Sequence, residues 1–182
     1  MAILDDNELI LYRTFKIEYS LITRWLDDRT YRKVIKSEGS QPIPSTFCLQ
    51  TETSLDMLAD VLTWFGKLQP PSIPKSVWLR CQLALAEGFT NAVRHAHKGL
   101  AVDVPIEIEV SLFNNSIEIC IFDHGQPFDL DKKLLEMSSK THQGSPGGRG
   151  LMLMRDIADK FSYRRCDPHR NSLVIIKYFS PD

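Results

Sequence analysis

No apolar run in this chain approaches the roughly 18 residues that a membrane-spanning helix needs, so no membrane span is expected. No charge of one sign dominates. The 22 basic and 23 acidic residues leave a net charge of −1, which argues against a broad basic surface and against direct nucleic-acid binding. Four cysteines, Cys48, Cys81, Cys120 and Cys166, are widely scattered and form no CxxC pair. That pattern disfavours a disulfide framework or a zinc site and fits reduced thiols in a cytosolic protein. His97, His142 and His169 also lack metal-ligand spacing. The start, MAILDDNELILYR, places acids ahead of its apolar residues, unlike a signal peptide. A cytoplasmic, soluble protein is expected. Internal repeats and low-complexity tracts are absent. So is a GxxxxGK[ST] phosphate loop, and the element pattern offers no strand–helix–strand dinucleotide unit.

What is present is an ordinary globular composition, 43% apolar and 25% charged over 182 residues. That length suits one domain with a short appendage and a core that needs no metal or disulfide. Residues 1–45 carry no chemical signature, and SEGSQPIPS at 37–45 is a polar, proline-containing break. We divide the chain there, into an extension of residues 1–45 and a domain of residues 46–182.

Within that domain, SLDMLADVLTWFGKL repeats Leu55, Leu58, Leu62 and Phe65 at helical spacing behind Ser54 as N-cap. A second helix is expected from about Ser76 to His97, stopped near Gly99. The period then changes to two. Ile106, Ile108, Val110 and Leu112, then Ile117, Ile119 and Ile121, predict a hairpin turning at Asn114-Asn115 and ending in Asp123. A long polar segment, 124–150, precedes the helix GLMLMRDIADKF, and FSYRR and SLVIIKYF read as two last strands. The order predicts an α+β fold, a two-layer α/β sandwich with helices on one face of a mainly antiparallel sheet.

Three clusters carry candidate chemistry. In ALAEGFTNAVRHAH, Glu87 and Asn91 stand four apart on one helix face. An amide oxygen suits Mg²⁺, and a nearby carboxylate can take the proton of an attacking hydroxyl. The plainer reading is a solvated face. In DHGQPFD, Asp123 closes a strand as an acceptor-only group able to receive the amine of adenine, and Gly125 permits a close approach. Its plainer reading is a strand-to-turn exit. In SPGGRGL, the glycines and Arg149 run directly into a helix, an arrangement that can cradle phosphates. A linker ahead of a helix is the alternative there.

Taken together and in this order, the clusters resemble the GHKL, or Bergerat-fold, ATPase superfamily. The similarity is to the small anti-sigma-factor serine/threonine kinases of bacteria. LALAEGFTNAVRHAH resembles that family's N box, DHGQPFD its first glycine box and GGRGLMLMRDIAD its second, over residues 46–182. The resemblance implies ATP and Mg²⁺ as cofactors, with Glu87 as catalytic base and Asn91 holding Mg²⁺. Asp123 would bind the adenine amine above Gly125. Gly147, Gly148, Arg149, Gly150 and Leu151 would form the phosphate end, with residues 130–147 as a lid. His95 matches the family pattern as a brace for the helix. The family carries a Gly-Thr pair before its last strand; here the matching stretch is Asn171-Ser172-Leu173, so Ser172 is the expected hydroxyl at adenine.

The implied activity is transfer of the ATP γ-phosphate to Ser or Thr of a STAS-domain anti-sigma-factor antagonist. A sigma factor as second client and a homodimer belong to the same family expectation. The alternative is a non-catalytic nucleotide-binding or partner-sequestering regulatory module.

Overall fold

The computed structural model describes residues 44–140 and 149–180. Five strands form one antiparallel sheet in the order β1-β2-β3-β5-β4. They are β1 (Ser45–Thr51), β2 (Ile106–Leu112), β3 (Ser116–Asp123), β4 (Lys160–Arg165) and β5 (Asn171–Tyr178). The helices are α1 (Leu58–Gly66), α2 (Lys75–Asn91), α3 (Leu130–Lys140) and α4 (Arg149–Ile157). A 3₁₀ turn, Leu55–Met57, leads into α1, and its N-cap Ser54 accepts a hydrogen bond from the Asp56 N–H at 3.2 Å. A π-helical turn, Ala92–Ala96, extends α2.

The alternation in β2 and β3 decides which sheet face is covered. Ile106, Ile108, Val110 and Leu112 point one way, and the partnered Ile117, Ile119 and Ile121 point the same way. All seven are buried. They meet α2 through its own apolar stripe, Trp78, Cys81, Leu85 and Phe89. Phe65 of α1 stacks on Trp78 with ring centroids 4.3 Å apart, which locks α1 onto α2. Each such fully buried side chain contributes about 1.5–3 kcal/mol of transfer free energy.

Gly88 lets α2 lie close to the sheet. A methyl there would stand 2.4 Å from Ile121 Cδ1 and 3.2 Å from Leu173 Cδ2. Further along, Gly125 lies against the backbone of Ala96. From 88 opposite 121 to 96 opposite 125, α2 and β3 run in the same direction. The N-box face and the end of β3 are thereby delivered to one end of the domain.

Four boundaries differ from the sequence reading. β1 was not expected, because STFCLQT follows directly on the proline break and alternates only weakly. The polar segment after β3 contains α3, whose Leu130 is buried while Leu135 is 71% exposed. The last helix ends at Ile157, so Phe161 belongs to β4. α2 starts at Lys75, one residue earlier than Ser76, with Pro74 as its N-cap, where the missing N–H removes no helical hydrogen bond.

Candidate functional site

Glu87 and Asn91 project from the last turns of α2, and the start of α4 closes over them. A methyl at Gly150 would stand 2.4 Å from Glu87 Oε2 and 3.7 Å from Asn91 Nδ2. Glycine lets the first turn of α4 come this near without displacing the Glu87 carboxylate. Its N–H groups carry partial positive charge at the edge of the Glu87 carboxylate. The Asn91 amide nitrogen is fully buried and has no hydrogen-bond partner among the described residues. A buried amide without a partner costs about 1–3 kcal/mol, so the site holds a polar group ready for a ligand. Arg149 is exposed at the entrance and Leu151 packs against the core. Gly147 and Gly148 lie outside the described residues, as do 141–147 of the expected lid; its first part, 130–140, is α3.

At the end of β3, Asp123 is 3% exposed. Its Oδ1 accepts from the Gly125 N–H at 2.9 Å and from Asn171 Nδ2 at 2.7 Å. The Tyr163 hydroxyl donates to both oxygens, at 3.2 Å and 3.0 Å. Burial, with Asp123 alongside, pushes the Tyr163 phenol well above its ordinary pKa, so it stays a donor. Arg165 Nη1 adds a bond to Asn171 Oδ1 at 3.1 Å and to the Gly125 carbonyl at 3.3 Å.

The strand register corrects the assignment at β5. Asn171 pairs with Asp123, whereas Ser172 pairs with Phe122. Residues directly opposite in a ladder share a face, and neighbours along a strand alternate. Ser172 therefore points to the far face of the sheet, and Asn171 is the polar side chain beside Asp123. The sequence match was one residue out.

Two further expectations change. His95 is exposed and has no bracing contact among the described residues; the brace is His97, 2% exposed. The π-helical turn shifts the helical register here, so i, i+4 counting from Asn91 ends on the surface. His97 Nε2 accepts from the His124 N–H at 2.8 Å. Its proton must then sit on Nδ1, which donates to Thr53 Oγ1 at 2.7 Å, and that hydroxyl donates onward to the Val104 carbonyl at 2.6 Å. One neutral tautomer thus ties the end of β1 to the loop behind Asp123. Gly125, expected to admit a ligand, instead admits protein. A methyl there would stand 2.4 Å from the Ala96 carbonyl oxygen.

The sequence reading gives no site role to Tyr163, Asn171, Arg165 or His97. For Asn171 and Tyr163 the available signal was strand alternation, which puts both on the face shared with Asp123. His97 offered none, because its partners are 44 and 27 residues away.

A family model for the histidine kinase-like ATPase domain matches residues 51–177. The chain belongs to the histidine kinase-like ATPase family. ATP binding is what membership implies. Among curated relatives, the serine-protein kinase RsbW of Bacillus licheniformis is 34% identical over 84 residues, covering 43% of this chain and 52% of that protein. RsbW of Listeria innocua is 30% identical over 83 residues with the same coverage, 43% and 52%. The chain spans about half the length of the curated relatives it matches. Two solved structures share the fold. One holds the RsbU and RsbW domains of a Mycobacterium tuberculosis protein, with TM-score 0.54 and 15% identity, covering 76% of this chain and 33% of that one. The other is the SiaB-SiaC complex of Pseudomonas aeruginosa, with TM-score 0.54 and 12% identity, covering 72% and 89%. Among the described residues no helix is long and apolar enough to cross a membrane.

Proposed function

We propose that residues 46–182 form an ATP-dependent serine/threonine protein kinase domain of the anti-sigma-factor type, acting on a STAS-domain antagonist. The observation that carries this reading is the meeting of Glu87, Asn91 and Gly150. Segments some 60 residues apart converge there, with a carboxylate, an unpartnered amide and a helix N-terminus within one site. The RsbW relatives are named serine-protein kinases, and the SiaB structure is itself of a two-protein complex.

The residues present fit Mg²⁺. Asn91 offers a hard amide oxygen, since the two ends of its terminal amide are interchangeable by rotation. A bound Mg²⁺ would neutralise phosphate charge. Glu87 takes the proton from the partner's hydroxyl. The oxygen of that hydroxyl forms a bond to the γ-phosphorus, the bond from that phosphorus to the β–γ bridging oxygen breaks, and ADP leaves. The N–H groups at the start of α4 and Arg149 hold the phosphates. Asp123, supported by Asn171 and the Gly125 N–H, reads the base. Phosphorylating the partner would place about two negative charges on its docking surface and weaken the complex.

A second reading, a non-catalytic partner-sequestering module, is favoured by one observation: protein donors already engage both oxygens of Asp123. Glu87→Gln separates the two. Under the kinase reading, the variant binds ATP as wild type does but transfers no labelled γ-phosphate to a STAS-domain antagonist. Equal transfer by both proteins rules out Glu87 as the base, and no transfer by either favours the module.

A further inference from the structure

We infer that Tyr163 occupies the place of the nucleotide base at Asp123, so that phenol and purine compete for one carboxylate oxygen and Tyr163 sets the affinity for ATP. This rests on the nucleotide-site reading above. Asp123 Oδ1 is held by the Gly125 N–H and Asn171 Nδ2, with the Tyr163 hydroxyl a longer third donor at 3.2 Å. Among the described residues Oδ2 has a single donor, the Tyr163 hydroxyl at 3.0 Å. Oδ2 is therefore the oxygen able to read an incoming amine, and it is already engaged.

The chemistry of the occupant matches. Adenine presents to a carboxylate a flat ring with one donor at its edge, and a protonated phenol presents the same. Phe128 stacks on the Tyr163 ring at 4.4 Å with 27° between planes, as an aromatic side chain stacks on a base. Phe128 is 42% exposed, so it can meet a ligand from the solvent side. A cavity of about 320 Å³ opens beside this pair, between Phe128–Asp131 and Phe161–Tyr163, and gives the phenol room to turn away. Base binding then exchanges one charge-assisted hydrogen bond for another, and most of the gain from Asp123 cancels.

The test is calorimetric titration of MgATP, and separately of adenosine, into the full chain as wild type, Tyr163→Phe and Tyr163→Val, each checked by thermal melting. Releasing a hydrogen bond to a charged group should tighten ATP binding about tenfold or more in Tyr163→Phe. Tyr163→Val should gain at least as much. Adenosine should gain by the same factor, because the competition sits at the base end. Unchanged or weaker binding by both folded variants, with wild type binding, overturns the competition and makes Tyr163 a support for Asp123. Failure of all three folded proteins to bind ATP overturns the nucleotide-site reading itself.

Discussion

Replacing Gly125 with alanine should destabilise this domain far more than a one-carbon change usually does. The added methyl would stand 2.4 Å from the Ala96 carbonyl oxygen and 2.8 Å from both Ala96 C and Cα. Ordinary contact needs about 3.5 Å or more, so the loop or the π-helical turn must move by roughly 1 Å. Neither is the free end of a side chain. Overpacking of this kind costs about 1–3 kcal/mol. Moving the loop also strains the 2.9 Å bond from the Gly125 N–H to Asp123. A hydrogen bond to a charged group contributes about 1.5–3 kcal/mol. Against this, alanine restricts the unfolded chain and returns about 0.4–1 kcal/mol. The expected net loss is about 2–4 kcal/mol, a large share of the 5–15 kcal/mol typical of a domain. Urea unfolding followed by tryptophan fluorescence measures it. Gly66→Ala is the control, because nothing lies within 4 Å of a methyl there, and it should be neutral or slightly stabilising. A Gly125→Ala unfolding free energy within about 0.5 kcal/mol of wild type would refute the packing of this loop on Ala96.

The remaining predictions concern the brace and the reacting end. Burial lowers the His97 pKa below its ordinary 6.5; Asp123 opposes the shift and His124 adds to it. The unfolded chain then binds this proton at a higher pH than the folded one. Stability from His97 is complete above about pH 6.5 and is lost as pH falls through the lowered folded value, at up to about 1.4 kcal/mol per pH unit. Urea midpoints from pH 5 to 8 should show this fall in wild type, and His97→Gln should flatten it; identical profiles would remove His97 as the titrating brace. Gly150→Ala pushes a methyl at Glu87 Oε2, the free end of a side chain that can turn away. Stability should change by less than about 1 kcal/mol, while phosphoryl transfer falls tenfold or more, since about 1 Å of misplacement can cost 10²-fold. Unchanged transfer would take Glu87 and Gly150 out of the reacting centre.

Fold class was legible because two periods are written plainly in the chain. The isoleucines of β2 and β3 repeat every second residue over one buried face, and Trp78, Cys81, Leu85 and Phe89 repeat at helical spacing. Neither pattern needs knowledge of a distant partner. β1 and α3 escaped because their patterns are weak or set in polar surroundings, so packing against β2 and burial of Leu130 decide them. At the site, the pairing of Glu87 with Asn91 is a local property of one helix, and so was visible. Ser172 was misassigned since a motif match tolerates a slip of one residue, whereas a strand does not: one step reverses the face.

The sequence alone determined the covered sheet face, the helix that bears Glu87 and Asn91, the glycines that permit close approach, and the likeness to an ATPase family. All of these depend on residue type and short-range spacing. Tertiary structure alone decided which side chains touch Asp123, that His97 rather than His95 is the brace, and that Gly125 meets Ala96. Those contacts join residues 27 to 48 positions apart. Hydrogen bonds and steric contacts act over about 3 Å, and no local pattern carries the register that brings such partners within that distance.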